Sequence, residues 1–331
     1  MSYLEPPEHD LRGSRYQARH DQPAAPDPYP PLLDDFAPGL DRRNGGAGRP
    51  VAPPPPPAPT GRAGRNLPAA IAVGSTLGAI VLASLMVWRP AFIGVVLAAA
   101  GIGVWEMARA VSRDGGPRAP LVPLFGGCLA MILLAWFAGP EALPLGLVFT
   151  ILAVMVWRLA DGPHRYQHDL LAASLIAVYV PFLGAFAVLL VRPDDGALRV
   201  IVTLAAVVLS DTGGYVAGVF FGRHPMAPTV SPKKSWEGTA GSLLIAATGG
   251  ALLLYFLFHV PWWHGALFGL GVAAASVLGD LGESLLKRDL KVKDMSGLLP
   301  GHGGLMDRLD SVLFAVPTAF VLFSVLAPPA G

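Results

Sequence analysis

The sequence is poor in charged residues and contains a single cysteine. Charged residues make up 14% of the 331 positions and hydrophobic residues 53%, a balance far from that of an ordinary soluble domain. The formal net charge is only +1, so no general basic field favours nucleic acid as a partner. Cys128 alone can form neither an intrachain disulfide nor a zinc site made of cysteines. Any bound metal should therefore have oxygen ligands.

Apolar sequence, by contrast, is abundant and comes in blocks of about 20 residues, the length of a helix that crosses a bilayer core. We therefore predict an all-α fold, a polytopic integral membrane bundle with about nine transmembrane helices. The predicted spans are residues 67–88, 90–108, 120–138, 142–160, 169–190, 198–221, 239–258, 262–286 and 311–328.

Residues 1–66 lack apolar blocks and are rich in proline, including the run from Pro53 to Pro57. Such a composition cannot build a packed core, so we predict a disordered, proline-rich cytoplasmic tail here. A docking role for the polyproline run is the alternative. No apolar stretch follows Met1, and a signal peptide is therefore not expected. Residues 67–331 are predicted to form the transmembrane domain.

Basic residues crowd into alternate connections between the predicted spans, and the intervening connections hold few of them. By the positive-inside rule, this asymmetry predicts a multi-pass protein of the cell membrane with a cytoplasmic N-terminus. The long loops 222–238 and 287–310 would then both face the cytoplasm. The basic residues on that side are Arg62, Arg65, Arg109, Arg113, Arg118, Arg158, Arg165, Arg223, Lys233, Lys234, Lys287, Arg288, Lys291, Lys293 and Arg308.

Two carboxylates fall inside predicted spans, Asp211 in VVLSDTGGY and Asp280 in VLGDLGES. A charged side chain at that depth costs roughly 2.5–3.5 kcal/mol on insertion scales, so it usually faces a polar cavity, a partner or an ion. Glu283, Ser284 and Lys287 follow Asp280 at helical spacing and predict one polar stripe. Both acids are functional candidates, and an interhelical ion pair within the bundle is the alternative.

The loop 222–238 contains the adjacent lysines Lys233 and Lys234 just before an apolar run. Ser235 is placed to cap the following helix, and lysines beside a helix N-terminus favour phosphate binding because ammonium and free N–H groups converge there. Alternatively, the two lysines only satisfy the positive-inside rule and contact anionic lipid headgroups.

The loop 287–310 is denser in chemically useful residues. Gly303 and Gly304 allow the backbone to approach a phosphate closely, and His302 adds a donor side chain beside them. A loop that merely keeps a membrane end in water would need no such turn. The alternative, in which its acids and bases simply pair with one another, is therefore disfavoured.

Asp307 and Asp310 stand three apart at the start of the last span, so on a helix both carboxylates lie on one face. With Asp280 they could provide the hard oxygen ligands that Mg²⁺ prefers, and Mg²⁺ shares its shell with substrate phosphates. The basic residues that would balance phosphate charge are Lys287, Arg288 and Arg308. Together these groups indicate phosphoryl or nucleotidyl transfer, in which positioning and charge neutralisation do most of the catalysis. The chain has no P-loop motif.

The C-terminal pattern resembles the signature of the phosphatidate cytidylyltransferase (CDP-diacylglycerol synthase) family. The residues that match it are Ser284, Lys287-Arg288, Lys293-Asp294, Pro300, His302-Gly303-Gly304 and Asp307-Arg308-Leu309-Asp310. The upstream segment Ser-Pro-Lys-Lys-Ser-x-Glu-Gly, residues 231–238, is also similar. The resemblance is detailed over residues 210–311 and extends to the preceding spans only in hydropathy.

The resemblance implies that residues 67–331 form a cytidylyltransferase domain, which converts CTP and phosphatidate to CDP-diacylglycerol and diphosphate with Mg²⁺. It leaves open a second cation and a homodimer. The metal ligands that it implies are Asp280, Asp307, Asp310 and Asp211. The catalytic residues are Lys287, Arg288, His302, Asp307 and Asp310. The substrate-binding residues are Ser284, Lys233, Lys234, Ser235, Gly303, Gly304 and Arg308.

Two other functions remain as alternatives at this stage. A CTP-dependent lipid kinase also needs acids inside the membrane and the same nucleotide. An ion-coupled transporter would explain buried acids in a helical bundle, but it would leave the basic residues and the glycine pair of the last loop unexplained.

Overall fold

The computed structural model describes residues 67–299 and 303–329 of the chain, with side chains from residue 72. The predicted tail, residues 1–66, lies outside this part. The helices are α1 (Leu67–Val87), α2 (Arg89–Val111), α3 (Leu121–Phe137), α4 (Leu143–Leu159), α5 (Tyr166–Ala177), α6 (Leu183–Val191), α7 (Gly196–Phe221), α8 (Trp236–Phe258), α9 (Trp262–Asp289) and α10 (Met306–Leu326).

Six helical segments of the described chain are long and apolar enough to cross a membrane. They are Arg89–Val111, Tyr166–Val191, Gly196–Phe221, Trp236–Phe258, Trp262–Asp289 and Met306–Leu326. Three shorter apolar segments accompany them, Ala72–Val87, Leu121–Phe137 and Leu143–Leu159. The prediction of a helical, multi-pass membrane protein is therefore confirmed, whereas the count of nine spans stays a prediction.

One predicted span, 169–190, is a continuous helical segment with an internal irregularity. A π-helical turn at Val178–Phe182 joins α5 to α6 and contains Pro181. Proline has no backbone N–H and cannot donate in a regular α-helix, so the wider turn accommodates it. Hydropathy alone could not predict this break, because every residue around it is apolar.

The connection between α7 and α8 contains a small antiparallel hairpin that the all-helical prediction omitted. Its strands are β1 (Pro225–Ala227) and β2 (Ser231–Ser235), with Ala227 paired to Ser231. Strands this short carry no alternating apolar pattern, so the sequence offered no sign of them. The predicted cap is confirmed: Ser235 accepts a hydrogen bond from the Gly238 N–H at 3.1 Å.

The connections rich in basic residues meet at one end of the described bundle. Arg165, before α5, donates to the Gly115 carbonyl after α2, and Arg288, in α9, donates to the Val230 carbonyl of the hairpin. At the opposite end, Arg89 forms an ion pair of 3.5 Å with Asp194.

A buried ion pair ties the helices together near the basic end. Arg158 of α4 pairs with Asp169 of α5, and their side chains are 7% and 2% exposed. Asp169 also accepts the Arg118 N–H at 2.7 Å, which connects the segment before α3. Arg158 has a second partner, Asp161, whose side chain is 51% exposed.

This arrangement predicts that replacing Asp169 and replacing Asp161 lower the stability of the folded protein by unequal amounts. Asp169→Ala should destabilise the folded protein by about 3–5 kcal/mol, because it leaves a buried guanidinium without its main partner. Asp161→Ala, at the exposed partner, should cost no more than about 1 kcal/mol. Thermal unfolding of both variants in detergent measures the difference. Equal stabilities would show that the buried pair does not support the fold.

Candidate functional site

Helices α7 to α10 and strand β2 enclose a polar cavity of about 400 Å³, here named the acidic cavity. It contains eight of the side chains that the sequence analysis selected. They are Asp211 from α7, Lys233, Lys234 and Ser235 from β2, Asp280 from α9, and Asp307, Arg308 and Asp310 from α10. Residues up to 99 positions apart in the chain, from Asp211 to Asp310, therefore line one cavity, as the candidate site requires.

Close packing of α9 on α10 brings two of these acids together. A Cβ atom on Gly279 would lie 2.4 Å from the backbone carbonyl oxygen of Asp310, so only glycine permits this approach. Asp280 follows directly in the chain. The separation of Asp280 from Asp310 is thus set by a contact that involves no side chain.

Asp280 lines the acidic cavity with 37% of its side chain exposed. Its Oδ2 lies 2.6 Å from the Lys234 ammonium, and the Ser284 hydroxyl donates to its Oδ1 at 3.3 Å. A lysine from the hairpin therefore neutralises an acid of α9 across the cavity. The partner comes from a strand, so the pair is not the interhelical ion pair that was the alternative for this acid, and it lies within the candidate site.

A second, basic cavity of about 330 Å³ adjoins the first. The residues that line it are Val230, Ser231, Pro232, Lys233, Ser284, Lys287, Arg288, Val292 and Lys293. Lys233 lines both cavities, so they form neighbouring compartments of one site. The four cationic side chains of the basic cavity suit a group with several negative charges, such as a triphosphate.

Asp307 is engaged by its own chain on both oxygens. The Lys287 ammonium donates to Oδ1 at 2.9 Å, while Oδ2 accepts the N–H groups of Met295 at 3.1 Å and Gly304 at 2.7 Å. Its side chain is only 5% exposed. Asp307 therefore holds the last loop against α9 in addition to lining the acidic cavity.

Glu283 is a member of the polar stripe to which the sequence analysis gave no separate role. Its side chain is fully buried, and neither carboxylate oxygen accepts a hydrogen bond from a donor in the described residues. The Lys287 ammonium lies 3.4 Å from Oε2 of Glu283, and the carboxyl group of Asp310 is an acidic neighbour of Glu283. A buried acid so placed needs a shared positive charge.

The acids of this cavity have the chemistry of a metal site. Carboxylate oxygens of Asp280, Glu283 and Asp310 are ligands of the kind that a hard divalent cation takes. In residues 67–299 and 303–329, however, no group of three or more acids, histidines or cysteines converges closely enough to hold an ion. The residue types fit Mg²⁺, and the metal site stays a prediction.

Two parts of the predicted signature have different outcomes. Gly303 lies at φ +79°, a conformation that favours glycine, and its carbonyl accepts the Leu299 N–H at 2.9 Å. His302 falls outside the described residues.

The sequence analysis missed Glu106 of α2, a helix outside the group α7 to α10, although Glu106 contacts this loop.

Comparison with known proteins gives one consistent result. The model of the cytidylyltransferase family matches residues 68–326. Phosphatidate cytidylyltransferase of Mycobacterium leprae is 44% identical over 285 residues, which cover 81% of this chain and 90% of that protein. The protein of the same name from Mycobacterium bovis is 40% identical over 280 residues, covering 81% and 91%. The one from Haemophilus influenzae is 33% identical over 275 residues, covering 72% and 92%.

The contact at Gly279 generates a matched pair of substitutions. Gly279→Ala should lower the stability of the bundle by about 1–3 kcal/mol, because the added methyl group forces α9 away from α10. Gly282→Ala, on the same helix with nothing within 4 Å of its Cβ position, should be neutral or slightly stabilising. Thermal unfolding in detergent tests both. A Gly279→Ala protein as stable as Gly282→Ala would contradict the close contact.

Proposed function

The chain belongs to the cytidylyltransferase family, and we propose that its two adjoining cavities carry out the reaction of a phosphatidate cytidylyltransferase. It is a nucleotidyltransferase of phospholipid biosynthesis, and it converts CTP and phosphatidate to CDP-diacylglycerol and diphosphate. The observation that carries the proposal is the meeting of intramembrane acids with hairpin lysines in one cavity. The reaction involves no nucleic acid, and a homodimer stays a prediction.

The basic cavity is proposed to receive the triphosphate of CTP. Arg288 and Lys293 line it together with Lys233, which also faces the acidic cavity. A nucleotide held there would extend its phosphates from the basic compartment toward the acids. The lysines at the N-terminus of α8 then add ammonium groups to the free N–H groups of the helix end.

The acidic cavity is proposed to hold the divalent cation, through Asp280 and Asp310 with Glu283 beside them. A bound Mg²⁺ would offset the negative charge that accumulates where two phosphate groups approach each other. Asp211 lines the same cavity and is a further candidate ligand. Asp307 contributes less as a ligand, because three donors of the protein already occupy its oxygens.

The chemical step needs no nucleophile from the protein. An oxygen of the phosphatidate phosphate attacks the α-phosphorus of CTP, a new P–O bond forms, and the bond from the α-phosphorus to the bridging oxygen breaks. The electron pair of that bond leaves with diphosphate. The protein contributes by fixing both phosphates in line and by neutralising the departing diphosphate with Lys233 and Arg288.

The lipid is proposed to enter from the side, out of the bilayer. Tyr215 lines the acidic cavity, yet 73% of its surface is exposed on the outside of α7. Val216 and Val219 follow on the same helix at 45% and 62% exposure, and Val219 lies one turn from Tyr215. An apolar flank beside a polar cavity would let acyl chains stay in the membrane while the headgroup reaches the acids.

We further propose that the site faces the cytoplasm and that all nine helical segments span the membrane. The basic connections that meet at the end of the bundle near the site support this orientation through the positive-inside rule. The cytoplasmic location would supply CTP directly, and the protein belongs to the cell membrane under this proposal.

A labelling experiment tests the reaction. Purified protein given phosphatidate, Mg²⁺ and CTP labelled at the α-phosphate should transfer the label into lipid, whereas label at the γ-phosphate should be released as diphosphate. Asp280→Asn should lower this turnover by at least about 100-fold, because it removes a charge that positions the cation. Asp114→Asn, an exposed position outside both cavities, is the control and should match the parent.

Two results of that experiment would overturn the proposal. Entry of γ-label into lipid would identify a kinase. If Asp280→Asn turned over substrate nearly as fast as Asp114→Asn, Asp280 could not be a ligand of the catalytic cation. Binding of Mn²⁺ to each variant, followed by electron paramagnetic resonance, separates loss of the ion from loss of chemistry.

Single-cysteine labelling tests the orientation. The only natural cysteine, Cys128, is buried and can be replaced by serine. A cysteine at His164, at the basic end, should react with an impermeant maleimide only in inside-out vesicles. A cysteine at Asp194, exposed at the other end, should react only in right-side-out vesicles. The reverse pattern would place the site outside the cell.

A further inference from the structure

Glu106 is the one acid of α2 and lies in the C-terminal half of that helix, where its side chain is completely buried. Its contacts lie about 200 positions away in the chain. Oε1 accepts the Leu305 N–H at 3.0 Å, and Oε2 accepts the Met306 N–H at 2.7 Å. The hydroxyl of Ser296 donates to Oε1 at 2.5 Å.

The two N–H groups belong to the start of α10, the helix that carries the acids of the signature. The first N–H groups of a helix have no partner within it, and a side chain just before the helix usually supplies one. Leu305 occupies that position and offers no side-chain cap. Glu106 therefore caps α10 from another helix, and its negative charge meets the positive end of the helix dipole.

The carboxylate of Glu106 depends on these donors for its stabilisation. None of the ion pairs found among residues 67–299 and 303–329 includes it. A buried carboxylate that no cation of the described residues pairs with needs well-aligned N–H and O–H groups. Glu106 and the start of α10 thus hold each other in position.

Gly304 lies between this carboxylate and that of Asp307. A Cβ atom at Gly304 would stand 2.8 Å from Glu106 Oε2 and 3.1 Å from Asp307 Oδ2. Asp307 accepts the N–H groups of Met295 and Gly304, while Glu106 holds Ser296, Leu305 and Met306. The two acids therefore bind neighbouring residues of the same loop. Gly304, which has no side chain, leaves room for both carboxylates.

We propose that Glu106 is a positioning residue of the transferase reaction. By capping α10 and anchoring the loop before it, Glu106 sets where Asp307, Arg308 and Asp310 stand in the acidic cavity. The catalytic part of this inference rests on the proposed function. The cap itself is a structural statement that can be measured without turnover.

The test compares Glu106→Gln with Glu141→Gln, a change at an exposed glutamate between α3 and α4. Glu106→Gln keeps the size but turns an NH₂ group toward backbone donors. It should lower kcat by about 10- to 100-fold, the loss typical of removing a residue that orients a catalytic ligand. The KM for CTP should change by less than about threefold, because the basic cavity is untouched. Glu141→Gln should behave as the parent.

Hydrogen exchange provides the readout that does not need activity. In Glu106→Gln the amides of Leu305 and Met306 should exchange at least about tenfold faster, with α3 and α4 unchanged. If the parent transfers no label from CTP but this local change is seen, the proposed function fails and the cap stands. Parent-like kcat together with parent-like exchange in Glu106→Gln would overturn the inference.

A paired substitution covers the case in which Glu106→Gln does not fold. Gly304→Ala should be strongly impaired, since its methyl group collides with the Glu106 carboxylate. Shortening the acid in Glu106→Asp withdraws it by one methylene, so Gly304→Ala with Glu106→Asp should recover part of the lost turnover. Additive losses in the double variant would show that the two residues are not coupled.

Discussion

Charge inside an apolar bundle is the constraint on which the rest of this structure depends. Each intramembrane acid costs roughly 2.5–3.5 kcal/mol on insertion scales, a cost that one close cationic partner, worth about 4 kcal/mol at intermediate dielectric, can offset. Lys234 does this for Asp280 at 2.6 Å, and Lys287 lies between Glu283 and Asp307 at 3.4 and 2.9 Å. Lys234 comes from the hairpin, so the cavity is complete only when that loop folds onto the helices.

The helices could be predicted because each depends on local sequence. Blocks of apolar residues located every long helix. The last apolar span was expected at 311–328 with Asp307 and Asp310 on a helix at its start, and α10 does begin at Met306, because the charged turn before Ser311 is helical although it lowers the hydropathy. Strands β1 and β2 are held together by main-chain pairing. Main-chain pairing leaves no hydrophobic pattern in such short segments, so the strands could not be predicted from the sequence.

The residues of the site also fall into those that a local sequence pattern identifies and those that it does not. Asp280 and Asp211 could be selected from the sequence, since an acid within an apolar block is costly and therefore informative. Glu106 is more deeply buried than either, but its partners are backbone N–H groups some 200 positions away. Every residue has an N–H group, so no pattern reveals which one a distant acid will bind. Its role became visible only when α2 was packed against the loop before α10.

The two acids of the Asp-Arg-Leu-Asp motif also separate on physical grounds. An ionised carboxylate has about four lone-pair positions, and Asp307 uses three of them on Lys287, Met295 and Gly304. Within the described residues, Asp310 accepts a hydrogen bond from the Ser311 N–H at 2.6 Å and neighbours Glu283. Asp307 thus has little capacity left for a ligand, whereas Asp310 retains most of its own. The three-residue spacing therefore serves two tasks: the first acid closes the loop, and the second presents its oxygens to whatever enters the cavity.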